Sequence, residues 1–305
     1  MPRQTAVALV GAPAPNKDVS SSQSAHYETC FALLTDMVKA LRLVTGAPIP
    51  NLSIERVWPL YLRLAGTKAG PTVTVGPTIV EHSFPGTGLA TDDQLVQAVH
   101  LFTAGRRGDA VEIYRDFKLS ANNAARVDGD YVEAVLKAAV AAEILIKHTA
   151  WLLTWEATTQ LDADPTPGPI ASLAGKPHEL IGGVLSLRLH GNWNSRSHAH
   201  PVGGWRHHIA RRRNAVIHRG YRPRESEMAT LIEALNQLEM HILDRLSAKA
   251  NIYPRTALML AGRSGLESRS AWSAVAPIAT PDARSAWMNQ YLTWLETAVP
   301  ETDPD

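Results

Sequence analysis

The chain has 305 residues, with 30 basic against 29 acidic side chains, a formal charge of +1 and 45% hydrophobic residues. That balance excludes a largely disordered chain, which needs low hydrophobicity and high net charge, and a fibrous protein, which needs a strict repeat. A single cysteine, Cys30, closes no intrachain disulfide, so a reducing cytoplasm is expected rather than a stapled secreted scaffold.

In chain order, the apolar run Ala6 to Val10 is stopped by Gly11, Pro13 and Pro15 before it reaches the length of a leader core, and no export signal is expected. Residues 1–25, including Ser20-Ser21-Ser22, read as a flexible arm or loop. From His26, Phe31, Leu34, Val38, Leu41 and Val44 recur at three- and four-residue spacing ahead of Gly46, Pro48 and Pro50, which predicts an amphipathic helix. Thr72 to Val75 and Thr78 to Val80 are β-branched, bounded by turn residues, and predict two short strands. Residues 1–95 therefore read as a small α+β unit of unknown role.

Residues 96–250 read as an antiparallel helical bundle, which makes the fold class mainly α. Long segments without proline begin after Gly105 and again after Asp128-Gly129-Asp130. From Tyr131 to about Glu156 apolar residues cover most of the circumference, the mark of a central helix. The stretch Leu161 to Lys176, with three prolines and two glycines, predicts a long loop. A shorter helix is expected near residues 178–189 and another from about Gly203 to His218, with Gly220 placed for a left-handed cap. After Pro223, Met228, Leu231, Ile232, Leu235, Leu238, Ile242 and Leu246 form a core-facing stripe. In residues 251–305, a C-terminal helical extension, Trp287, Tyr291, Trp294, Leu295 and Val299 keep helical spacing and predict a helix docked on the body or on a second subunit. No apolar stretch approaches the roughly 20 residues of a spanning helix, so no membrane partner is expected.

Chemistry concentrates between Leu180 and Arg224, where nine arginines stand without one Asp or Glu. Such a field attracts polyanions, and the guanidinium fork matches phosphate oxygens. Arg206, Arg211, Arg212, Arg219 and Arg222 are the candidate RNA-binding cations. Within the stretch, Asn214 and His218 are four residues apart and share a helix face, with Arg213 roughly 100° round the helix from Asn214. An imidazole that moves a proton, a guanidinium that neutralises charge growing on phosphorus and an amide that positions either would serve metal-independent phosphodiester transfer.

Arg213-Asn214-Ala215-Val216-Ile217-His218 resembles the Arg-polar-x-x-x-His signature of HEPN domains, helical bundles found in many bacterial toxins and antiviral ribonucleases. Gly129-Asp130-Tyr131, followed by Ala134, Ala138, Ala142 and Glu143, is similar to the early HEPN helix, and Glu143-x-x-x-Lys147 to the acidic-x-x-x-basic pair that many members carry there. Trp205 and Gly220 also suit the family, and the resemblance spans roughly residues 97–250. It implies a metal-independent endoribonuclease in which the ribose 2′-hydroxyl attacks the adjacent phosphate, without a cofactor. His218 would be the general acid/base, Arg213 the phosphate and transition-state ligand and Asn214 the orienting residue, with Glu143 and Lys147 supporting. It further implies a homodimer whose Arg and His side chains face one cleft, and an antitoxin or defence-system protein as regulatory partner.

The alternative is a catalytically inactive helical module of the same kind, mediating dimerisation and protein or nucleotide binding. His190, His198, His200, His207, His208 and His218 place half of the twelve histidines within 29 residues. Metal binding is disfavoured there, because neither cysteine nor carboxylate is nearby and nine guanidiniums surround the site. The same histidines, with Trp193, are placed to stack on unpaired bases. Nucleotide-binding glycine loops, the serine-hydrolase elbow and the zinc-protease His-Glu-x-x-His are absent.

Overall fold

The computed structural model describes residues 19–46, 62–67, 70–75, 91, 93–94, 98–99, 110–160, 177–280 and 282–298. The chain divides into two compact units, Met1–Arg107 and Gly108–Asp305. The bulk of the described residues is helical, and none of their helices is long and apolar enough to cross a membrane.

In the first unit, α1 (Val19–Thr45) begins before the predicted start and takes in Ser20-Ser21-Ser22, which the sequence reads as a loop. Serine is a mediocre helix former rather than a breaker, and propensity is a weak prior over one turn. Gly46 ends the helix at φ +63°, its N–H donating to the Arg42 carbonyl at 2.9 Å. Strands β1 (Leu62–Thr67) and β2 (Gly70–Val75) pair antiparallel, with Leu62 opposite Val75 and Thr67 opposite Gly70. The predicted strand at Thr72 to Val75 is thus part of β2, but its partner lies upstream, while Thr78 to Val80 fall outside the described residues. Leu62-Arg63-Leu64 alternates with period two yet lacks β-branched residues, so its strand signal is faint.

The second unit is built around α3 (Tyr131–Gln160), which touches most of the other helices of that unit. Small alanines at 134, 138, 141 and 142 and large side chains at Ile146, Leu152, Leu153 and Trp155 are all buried, so neighbours approach closely on several sides. Helix α2 (Ala110–Asn123) runs through a π-helical turn, Ala124–Asp128, to Gly129 at φ +65°. The Asp130 carboxylate then accepts the Glu133 N–H at 2.9 Å, so two adjacent residues stop one helix and cap the next.

Short helices α4 (Pro177–Leu180) and α5 (Ser186–Leu189) flank a π-helical segment, Ile181–Leu185. Helix α6 (Pro201–Trp205) continues through a second such segment, Arg206–Ala210, into α7 (Arg211–Arg219). The predicted helix at 203–218 is therefore present, but carries an added residue in the middle that shifts its side-chain register. Gly220, at φ +62°, caps α7 as expected. In α8 (Glu225–Ser247) all seven residues of the predicted stripe are buried. Each fully buried Leu or Ile of that stripe contributes about 1.5–3 kcal/mol relative to exposure.

Residues after 250 are more regular than their composition suggests. Helix α9 (Pro254–Glu267) starts on a proline and is interrupted at Gly262 (φ +65°). The Glu156 carboxylate, buried at the far end of α3, accepts the Arg255 and Thr256 N–H groups, each at 2.8 Å, and so caps α9 from another helix. After α10 (Trp272–Val275) and a 3₁₀ turn, α11 (Ala283–Ala298) packs on α3 and α9 with Tyr291 fully buried. The C-terminal extension thus docks on its own body, and no break between compact units falls near residue 250.

Candidate nucleic-acid interface

Two segments build the basic face. The first is the loop 190–200. His190 and Gly191 have φ of +54° and +88°, Asn192 Oδ1 accepts the Asn194 N–H at 3.0 Å, and Asn194 Oδ1 accepts the Arg196 and Ser197 N–H groups at 2.9 and 3.3 Å. These side-chain turns replace a helix or strand ladder and hold Arg196 and His198 in place. The second segment is α6, its π-helical continuation and α7. The His200 ring caps it, Nδ1 accepting the Val202 N–H at 3.2 Å. Gly203 permits the two segments to touch, since a Cβ there would lie 1.9 Å from the Ser197 carbonyl oxygen.

Between them lies a cleft of about 190 Å³ lined by Ser195, Arg196, His198, Gly203, Arg206, His207 and Arg211. The His198 and His207 rings stack with centroids 3.8 Å apart, and Arg211 approaches His207 at 3.5 Å. Burial, then the charges of His198, Arg211 and Arg212, pushes the His207 ring below the usual imidazole range. His208, edge-on to His207 at 4.8 Å, is lowered likewise by burial and by Arg212. Behind the loop, His241 meets Trp193 and His200 edge-on at 4.8 and 4.9 Å, and burial lowers its pKa to about 4.

The predicted trio sits on α7, a helix with no buried residue, on which Ile217 is 49% exposed. Asn214 and His218 are exposed, and Arg213 is partly buried, donating to Asn214 Oδ1 at 3.2 Å. Arg211 and His218 are seven residues apart, two turns of helix, and so share one face, which continues the cleft toward the end of α7. Arg219 and Arg222 are exposed beyond it.

The Arg212 guanidinium forms an ion pair with Glu227 at 2.9 Å, each side chain 19% exposed, and fastens α7 to the start of α8. Burial acts to raise the Glu227 carboxyl, but the Arg224 N–H, the Tyr221 hydroxyl and the Arg212 and Arg224 charges outweigh it and hold it below the ordinary range. Glu143 and Lys147, partly buried on α3, form no ion pair within 4 Å with each other or with Arg213, and the i,i+4 pair on that helix is Glu133–Lys137 at 3.1 Å. The Arg213 guanidinium finds its acceptor on the neighbouring amide instead.

Arg196 was not singled out by sequence, although it lines the cleft; its signal is the Asn-x-Asn-x-Arg run, in which side-chain turns at Asn192 and Asn194 order the arginine. Among the described residues no group of three or more His, Cys, Asp or Glu side chains is arranged to hold a metal ion. Compared with family models, with curated proteins and with solved structures, the chain matches none.

Proposed function

We propose that this protein is a metal-independent endoribonuclease of HEPN type, acting as a dimer in a toxin or antiviral setting. The observation that carries this reading is the state of α7. It holds Arg213, Asn214 and His218 on a helix with no buried residue, in a stretch where no carboxylate competes for a polyanion. An exposed His218 beside an exposed Ile217 is the surface that a second copy would cover, bringing two imidazoles to one linkage.

In the reaction, one imidazole takes the proton of the ribose 2′-hydroxyl as its oxygen attacks phosphorus. The bond from phosphorus to the 5′-oxygen breaks, and the second imidazole gives that oxygen a proton. The products are a cyclic phosphate and a free 5′-hydroxyl. Arg213 offsets the charge added to the phosphate in the transition state, and Asn214 orients its guanidinium through the bond already present. Proton transfer of this kind contributes about 10²–10⁴-fold, so the guanidinium and a second imidazole supply the remainder.

The test is incubation of unstructured RNA with wild type, Arg213→Ala and His218→Ala in EDTA, followed by analysis of the ends. Cyclic phosphates from wild type, with cleavage reduced at least about 100-fold in His218→Ala, are expected. Equal cleavage by all three, or intact RNA with folded wild type, refutes the nuclease and leaves the inactive helical module.

A further inference from the structure

We propose that the cleft between the 190–200 loop and the start of α7 is a second, separate phosphate site. In it Arg196, Arg206 and Arg211 hold a backbone phosphodiester of single-stranded RNA, and the stacked His198–His207 pair faces the adjoining base. The RNA ligand rests on the reading above, whereas the phosphate site itself needs no cleavage.

Three observations carry this. First, the cleft is built rather than incidental. The Asn192 and Asn194 side-chain turns, the left-handed backbone at His190 and Gly191, and the missing Cβ of Gly203 combine to place Arg196 opposite Arg206 and Arg211. Holding three guanidiniums around one space without an anion costs electrostatic energy, and the fork geometry of each is matched to phosphate oxygens. Secondly, among the described residues no carboxylate lines the cleft. The charged and titratable groups lining it are Arg196 and His198 from the loop, Arg206 and His207 from the π-helical segment, and Arg211 from α7, all basic, with His208 edge-on to His207. Arg212 is engaged by Glu227 of α8. Thirdly, size selects the ligand. About 190 Å³ lies below the roughly 300–1,000 Å³ of sites that enclose a whole small molecule, so the cleft fits one phosphate with its sugar on a chain that continues outside. The aromatic pair supplies the stacking surface that an unpaired base uses.

A pH signature follows. Burial and the surrounding cations disfavour the charged His207 ring, and a bound phosphodiester removes part of that penalty. Binding therefore takes up protons, and affinity rises as pH falls from about 8 to about 6.

The experiment measures fluorescence anisotropy of a labelled 2′-O-methyl oligoribonucleotide, which cannot be cut, with the full chain. It is run across a salt series at about pH 6 and about pH 8. Wild type, Arg196→Gln, Arg206→Gln and His207→Gln are compared, each checked for wild-type helicity by circular dichroism. Arg196→Gln and Arg206→Gln are expected to weaken binding about tenfold and to flatten the salt dependence by about 0.7 in log–log slope, the share of one phosphate on a single strand. His207→Gln is expected to reduce the tightening at low pH. Folded Arg196→Gln that binds with the wild-type affinity and slope overturns the proposal. So does inorganic phosphate or a free mononucleotide that competes as well as the oligonucleotide at equal phosphate concentration, which would assign the cleft to a small ligand. Because the probe is uncleavable, loss of the nuclease reading leaves this readout intact.

Discussion

His148 offers the sharpest test of how this bundle is held together. It sits on α3 with its Nδ1 2.8 Å from the Tyr291 hydroxyl of α11, and its ring meets Trp151 edge-on at 4.9 Å. Burial, aided by the adjacent Lys147 charge, lowers its pKa from 6.5 to about 4. The sign follows from where the proton resides. Between these two values the unfolded chain binds a proton on His148 and the folded chain does not, so unfolding is favoured as pH falls. The contribution is complete above about pH 6.5 and is lost toward pH 4, at about 1.4 kcal/mol per pH unit and roughly 3 kcal/mol in all. His148→Gln removes the titration and keeps a group able to bond Tyr291. Urea unfolding followed by tryptophan fluorescence at intervals from pH 7 to pH 5 should give wild type a stability that falls with pH. The variant should fall less steeply by about 1.4 kcal/mol per unit across the lower part of that range. A residual slope is expected from His241, whose pKa is also lowered to about 4. Parallel curves for wild type and variant would show that the ring is hydrated in solution and that its burial against Tyr291 is not what sets its proton affinity.

Gly220→Ala should cost about 1 kcal/mol in thermal or urea unfolding. The cost is purely conformational, because φ is +62° and an added Cβ meets nothing within 4 Å; a neutral result would mean that α7 frays in solution. Arg212→Ala should also lower stability by about 1 kcal/mol through loss of the Glu227 pair. It should change the salt dependence of RNA binding less than Arg211→Ala does, and the opposite ranking in anisotropy titrations would show that Arg212 exchanges Glu227 for RNA phosphate.

The helices of the second unit were legible because their signals are local. The glycine and aspartate at 129–130, the apolar circumference of α3, the seven-residue stripe of α8 and the glycine after α7 each lie within a few residues of the feature they specify. The π-helical turns at 124–128, 181–185 and 206–210 were not, since one inserted residue leaves composition unchanged while rotating all that follows. The start of helix α9 carries no local signal for a related reason: its N-terminal donors are satisfied by Glu156, 99 residues earlier, so no capping residue stands beside it. At the candidate site, the basic stretch and the exposure of Asn214 and His218 agree with the sequence pattern. The partner of each arginine did not follow from it.

What residue order alone determined is the helical class, the carboxylate-free run from 180 to 224 and the helix on which Arg213, Asn214 and His218 ride, because periodicity and charge are properties of neighbours along the chain. Only the tertiary structure decided which cations remain available. Arg212 is claimed by Glu227, while Arg196 is carried across a loop to meet Arg206 and Arg211, for a guanidinium's worth to a ligand depends on the acceptors that folding brings within hydrogen-bonding distance, and those are set by packing rather than by spacing.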